Sequence, residues 1–189
     1  MDELAQKAGK DPLAFRRDML GKQPRLKAAL ELAASKAGWG QPLPAGRFRG
    51  VAVVNNLGGF NAQVAEVSVD GKGKYRVHRV VCAVDCGQVI NPAGVVQQIQ
   101  GGIVFGLSAL KGGITIEKGR VQQGNFNQYE VLRIDEMPVI EVHFVQSNEV
   151  PAGIGEASTP PIGPAVANAL FAATGKRIRS LPIRPEQLV

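Results

Sequence analysis

The sequence predicts an α+β fold, a mixed sheet with packed helices, and three observations carry that expectation. Residues 1–38 are helical in pattern. Residues 49–84 break into strand-like runs joined by a hairpin turn, Asp70-Gly-Lys-Gly73. Long apolar helical stretches then interleave with further short strands. Helices mixed with at least one hairpin point away from a doubly wound parallel sheet, where strand and helix alternate throughout.

The elements follow in order. Residues 1–8 read as a helix broken at Gly9. Asp11 and Pro12 have the chemistry of an N-cap and a first helical residue: a short carboxylate accepts from free N–H groups, and proline lacks a donor that would go unbonded there. That helix runs to Leu20 and Gly21 closes it. Pro24 opens a third helix, with Leu26, Leu30 and Ala33 on one face, ending at Gly38. A Pro/Gly-rich linker occupies 40–46. The chain therefore divides into an N-terminal helical segment with linker, 1–46, and an α+β region, 47–189.

In the second region, 49–55 and 62–69 read as strands, and 74–84 completes a hairpin with the latter. Asn91 and Pro92 cap a helix from Ala93 to about Leu110. Short strands are expected at 114–116, 121–123 and 140–146. Pro164 is expected to start the last helix, 165–174, and a terminal strand at 177–182 follows it.

Composition narrows the function. At 189 residues and 44% hydrophobic, the chain can bury a sizeable core as one domain, or one domain with an appendage. The net charge of +6 comes from dispersed Lys and Arg, and aromatics for base stacking are scarce, so nucleic acid is not an expected partner. An anionic ligand or acidic surface suits the charge as well. No membrane association is expected either: the opening is acidic without an apolar core, and the longest apolar run, 103–110, is too short to span a bilayer. As it stands the chain reads as cytoplasmic, with periplasmic export conditional on a signal upstream. Cys82 and Cys86 read as reduced, structural thiols, and two distant histidines complete no metal site.

Two segments could carry chemistry. Gly153 and Gly155 hinge a loop that bears one carboxylate, Glu156, with no Lys or Arg near it in sequence. Desolvation on such a loop raises the proton affinity of an acid toward that of a general base working near neutrality, whereas a solvated surface loop leaves the acid idle. In the helix after Pro92, Gln98, Gly102 and Gly106 recur every four residues and so share a stripe. Each glycine costs helix stability, about 1 kcal/mol relative to Ala. Something must approach that face closely: either a second backbone element, or a flat polar ligand read by the Gln98 amide.

These segments carry a resemblance. Val84-Asp-Cys-Gly-Gln-Val-Ile-Asn-Pro92, Gln98-Ile-Gln-Gly-Gly-Ile-Val-Phe-Gly-Leu107, and Gly155-Glu156 ahead of Pro160-Pro-Ile-Gly-Pro-Ala-Val-Ala-Asn-Ala169 resemble the molybdopterin-binding large subunit of the xanthine dehydrogenase/aldehyde oxidase family. The isoquinoline 1-oxidoreductase beta-subunit branch is the nearest likeness, and the segments 1–5, 11–16 and 36–40 resemble it too.

The resemblance implies a C-terminal portion of such a subunit. Its molybdopterin centre, with the cytosine dinucleotide as one form the family uses, oxidises an aldehyde or N-heterocycle with oxygen from water. Glu156 matches the catalytic base, and Gln98 the glutamine that hydrogen-bonds an oxygen ligand of the metal. Gly101, Gly102, Gly155 and Ala157 match cofactor-lining positions, and no side chain is a metal ligand. On this reading one anionic cofactor between helix and loop explains both the lone acid and the glycine stripe, with phosphate at the Pro164 helix start. Iron–sulfur clusters are implied only on a separate small subunit, and the remainder of the large subunit is an implied partner without which the chain is inactive. Ala157 stands where relatives usually carry Pro, and Gly58-Gly-Phe60 resembles a family glycine motif at the wrong place in the chain. The alternative is a truncated, non-catalytic interaction module that associates with a partner chain.

Overall fold

The computed structural model describes residues 1–189. The front end is helical, as its caps predict. Helix α1 (Asp2–Lys7) is followed by α2 (Pro12–Met19), where the Asp11 carboxylate accepts from the backbone N–H groups of Leu13 and Ala14 at 2.9 Å each. Arg16 is buried, pairs with Asp2 and donates to the Pro12 carbonyl at 3.0 Å. Helix α3 (Pro24–Lys36) then runs across the sheet.

Strands β1 (Phe48–Asn56), β2 (Gly59–Val69) and β3 (Tyr75–Asp85) form an antiparallel meander. The β1–β2 turn is two residues, Leu57 and Gly58, with φ of 52° and 80°. Two left-handed residues give the twist a tight hairpin needs. Strand β2 consequently starts three residues before the expected position 62, and Gly58-Gly-Phe60 belongs to this hairpin. Helix α4 (Pro92–Lys111) and a small ladder, β4 (Ile116–Glu117) with β5 (Arg120–Val121), lead to β6 (Val139–Phe144). Strand β6 pairs parallel to β3, so the sheet is mixed, in the order β1-β2-β3-β6.

Helices cover both faces. Leu26, Leu30 and Ala33 of α3 pack on Val51, Val64 and Val81. On the other face, Ile99 and Ile103 of α4 and Ile162, Val166 and Leu170 of α5 (Thr159–Thr174) pack on Ala65, Val80 and Val84. A sheet buried on both faces explains why β3 reads as a nearly continuous apolar run. Residues 1–46 therefore supply one of the two cores through α3. By length and composition α4 could cross a membrane, being longer than the apolar run at 103–110, but here its apolar face forms core against α5 and the sheet.

Three expectations are corrected. Helix α5 begins at Thr159, so Pro164 lies inside it; Pro160 and Pro161 fill a first turn whose N–H groups need no intrahelical partner. Residues 177–182 form no strand: Arg177 stacks 3.3 Å from the Phe171 ring, Arg179 pairs with Glu3, and the segment lies along helices rather than at a sheet edge. The expected strands near 114–123 shrink to the two-residue β4 and β5, which turn through Lys118 and Gly119 at positive φ.

Candidate functional site

Helix α4 starts where the sequence predicts, with the Asn91 side chain accepting from Gly94 N–H at 3.1 Å. Two turns on, the glycine stripe meets the start of α5. A Cβ on Gly102 would lie 2.2 Å from Ser158 Oγ, and one on Gly106 would lie 2.4 Å from Ile162 Cγ2 and 2.9 Å from the Thr159 carbonyl oxygen. Ser158 Oγ donates to the Ile99 carbonyl at 2.9 Å, and Thr159 Oγ1 to that of Gly102 at 3.1 Å. These glycines are therefore needed for close packing of α4 against α5. The single cause expected for acid and stripe, a cofactor lying between them, does not hold for Gly102 and Gly106, because α5 occupies that space.

The other end of the stripe is open. Gln98 is exposed, and its Nε2 donates to the Gly155 carbonyl at 2.7 Å. Glu156 follows directly. Gln98, Gly101, Phe105, Gly155, Glu156 and Pro160 line a groove of about 400 Å³, with Gly102 and Thr159 at its floor. A Cβ on Gly101 or Gly155 would meet nothing within 4 Å.

The chain thus brings Gln98, Gly101, Gly102, Gly155 and Glu156 to one groove. Ala157 lies outside it, 1% exposed in the core, with its N–H toward the Ile154 carbonyl. Glu156 is exposed, so the desolvation expected of it is not supplied by this chain alone. Pro164 offers no phosphate site, because a residue inside a helix has no free donors around it.

A buried polar cluster under the groove was missed. Gln63, fully buried in β2, donates from Nε2 to the Ser158 carbonyl at 2.8 Å and to Asn61 Oδ1 at 3.2 Å. Cys82 Sγ donates to the same Asn61 oxygen at 3.4 Å. Gln63 Oε1 and Asn61 Nδ2 have no partner, a cost of about 1–3 kcal/mol each. The signal is in the sequence: two amides at alternate positions on a face of β2 that is otherwise apolar. Both cysteines are free and buried, and burial pushes the Cys82 thiol up to about 12.

Chemically, the groove fits one face of a flat polar group. The Gln98 amide keeps a second N–H for an oxygen ligand, two positions without Cβ allow close approach, and a carboxylate stands at the rim. No Lys or Arg lines it, so it has no cation for a phosphate.

Comparison with known proteins gives a consistent family. The molybdopterin cofactor-binding domain family matches residues 21–138. The chain is 36% identical over 190 residues to isoquinoline 1-oxidoreductase subunit beta of Brevundimonas diminuta, covering 98% of this chain and 24% of that protein. It is 34% identical over 210 residues to the membrane-bound aldehyde dehydrogenase of Gluconacetobacter polyoxogenes, whose name specifies pyrroloquinoline quinone, covering 100% of this chain and 27% of that protein. Among solved structures, quinoline 2-oxidoreductase from Pseudomonas putida 86 superposes with a TM-score of 0.63 at 26% identity, over 68% of this chain and 18% of that one. The chain spans about a quarter of the length of the curated relatives it matches.

Proposed function

Because this chain belongs to the xanthine dehydrogenase/aldehyde oxidase family of molybdopterin-binding large subunits, we propose that the Gln98–Glu156 groove is one wall of its molybdopterin pocket. The observation that carries this reading is the Gln98–Gly155 hydrogen bond, which places an amide and a carboxylate on the same rim.

Bound there, molybdopterin supplies a two-electron redox centre at which oxygen from water is added to an electron-poor carbon of an aldehyde or N-heterocycle. Gln98 directs its remaining N–H into the groove and orients an oxygen there. Glu156 takes up the proton released during oxygen transfer. Gly101 and Gly155 leave backbone where a side chain would obstruct, while Gly102 acts through packing against Ser158. Ala157 anchors the loop in the core. With no cation in the groove, phosphate groups, including those of a cytosine dinucleotide form, are held by the remainder of the large subunit. That remainder also covers Glu156 and supplies its desolvation. Electrons leave through iron–sulfur clusters on a small partner subunit.

The alternative, a non-catalytic interaction module, draws on exposed apolar side chains such as Phe105, Phe126 and Ile134. Glu156→Gln separates the readings. In the assembled, molybdenum-loaded enzyme it should keep its metal and lose activity by about 10²- to 10⁴-fold, the usual contribution of a general base. Full activity in that variant overturns the assignment. Molybdenum content also distinguishes this pocket from one for the quinone in the second relative's name.

A further inference from the structure

The turn 155–158, which carries Glu156, is held at three points. Gln98 grips the Gly155 carbonyl, and Ser158 Oγ grips the carbonyl of Ile99, the residue next to Gln98. Both of these bonds tie the turn to α4. The third comes from the sheet, where Gln63 Nε2 donates to the Ser158 carbonyl across 95 residues of sequence.

Gln63 can make this bond in one orientation only. Turning its amide over would set two carbonyl oxygens against each other, so Nε2 faces Ser158, and Asn61 must then present Oδ1 to the same group. That arrangement leaves Gln63 Oε1 and Asn61 Nδ2 buried without partners. An apolar side chain of the same length would fill the site without the orphaned Gln63 oxygen, and Asn61 Oδ1 would keep the Cys82 donor. Stability of β2 therefore does not account for an amide at this position, and what it holds does.

We propose that Gln63 is a positioning residue for Glu156: it fixes the turn to the sheet, so that the carboxylate keeps a set place relative to Gln98. This rests on Glu156 being the base. Without Gln63 both remaining hydrogen bonds run to α4, and only the packing of Ala157 and the start of α5 still ties the turn to the sheet.

Hydrogen–deuterium exchange of the full chain tests the clasp without any cofactor. In Gln63→Met, exchange across 153–159 should rise on the order of tenfold while α3 and β3 stay unchanged. In the assembled, molybdenum-loaded enzyme, kcat should fall about 10- to 100-fold with KM little changed, the usual penalty for a misplaced group. Gln63→Leu, apolar and without a donor, should behave alike and decides the matter if the Met variant fails to fold. Unchanged exchange, or raised exchange with unchanged kcat, overturns the proposal. Failure of both variants to fold also overturns it, since Gln63 is then a core residue. Glu156→Gln separates the two ideas. Full activity there removes the base and this proposal with it, whereas an inactive Glu156→Gln beside an undisturbed Gln63→Met removes the positioning role alone.

Discussion

The Gln98 side-chain amide donates to the Gly155 carbonyl at 2.7 Å, joining residues 57 apart in sequence and setting Glu156 beside α4. Water competes for this bond because both residues are exposed. The buried Ser158–Ile99 and Gln63–Ser158 bonds behind it keep the loop in register. The groove is thus an open edge supported from beneath.

The glycines of α4 should separate by role. Gly106→Ala forces Cβ against Ile162 and the Thr159 backbone, and should destabilise the fold by about 1–3 kcal/mol. Gly102→Ala should cost less, since the Ser158 hydroxyl can rotate away, though it loses its bond to Ile99. Gly101→Ala meets open space and should stabilise the helix by about 0.5–1 kcal/mol. Urea unfolding of the three variants checks the order. Equal effects at all three positions contradict the packing described for α4 and α5.

Gly50 of β1 should be among the least replaceable glycines. A Cβ there would lie 2.2 Å from the Ala169 backbone nitrogen and 2.3 Å from the Ala165 carbonyl oxygen. Both are backbone atoms of α5, which cannot move aside. Gly50→Ala should cost at least about 3 kcal/mol, at the upper end for overpacking. Thermal unfolding measures it, and a loss below about 0.5 kcal/mol (that of an ordinary surface change) would show that α5 does not lie directly on β1.

The Arg25–Asp85 pair should give the fold an acid-sensitive component. Burial pushes the Asp85 carboxyl up, but two Arg25 hydrogen bonds at 2.7 and 2.8 Å and the Gly87 N–H outweigh it and hold it below the usual carboxylate range. A lowered folded value contributes stability that is complete above the unfolded value, near 4, and is lost as pH falls through the folded one. Arg25→Met should lower stability at pH 7 by about 2–3 kcal/mol, somewhat under the range for a buried pair because the Arg25 side chain is 30% exposed. The gap between wild type and variant should narrow below about pH 4. Unfolding curves displaced equally at pH 7 and pH 3 would contradict this.

Both thiols should be inert in the folded protein. Burial raises Cys86 as well as Cys82, so neither forms appreciable thiolate at neutral pH, and both are shielded. A disulfide reagent should label neither in native buffer and both in denaturant. Rapid native labelling would place a thiol at the surface.

Caps and apolar periodicity made most of the fold legible. Asp11 and Asn91 act where their side chains predict, and Leu26, Leu30 and Ala33 share the face they bury. Local chemistry misled where it had two outcomes. Pro160 and Pro161 read as loop yet suit a first helical turn, and the 177–182 segment has strand-like residues but no sheet edge beside it. In the site, Glu156 stands out as a lone acid and Gln98 as the amide that shares a stripe with Gly102 and Gly106. The roles of Gly102 and Gly106 could not be read from spacing, because a ligand and a packed helix ask for the same missing Cβ. The role of Gln63 is not legible in local sequence, because its partner lies 95 residues away.

Anomalous X-ray scattering at the molybdenum edge, from crystals of the chain assembled with the remainder of its large subunit, tests the pocket most directly. The metal peak should lie in the groove between Gln98 and Glu156, with the carboxylate covered by the added chain. A peak against another face, or a groove filled by polypeptide with the metal elsewhere, would contradict the assignment of this wall to the cofactor.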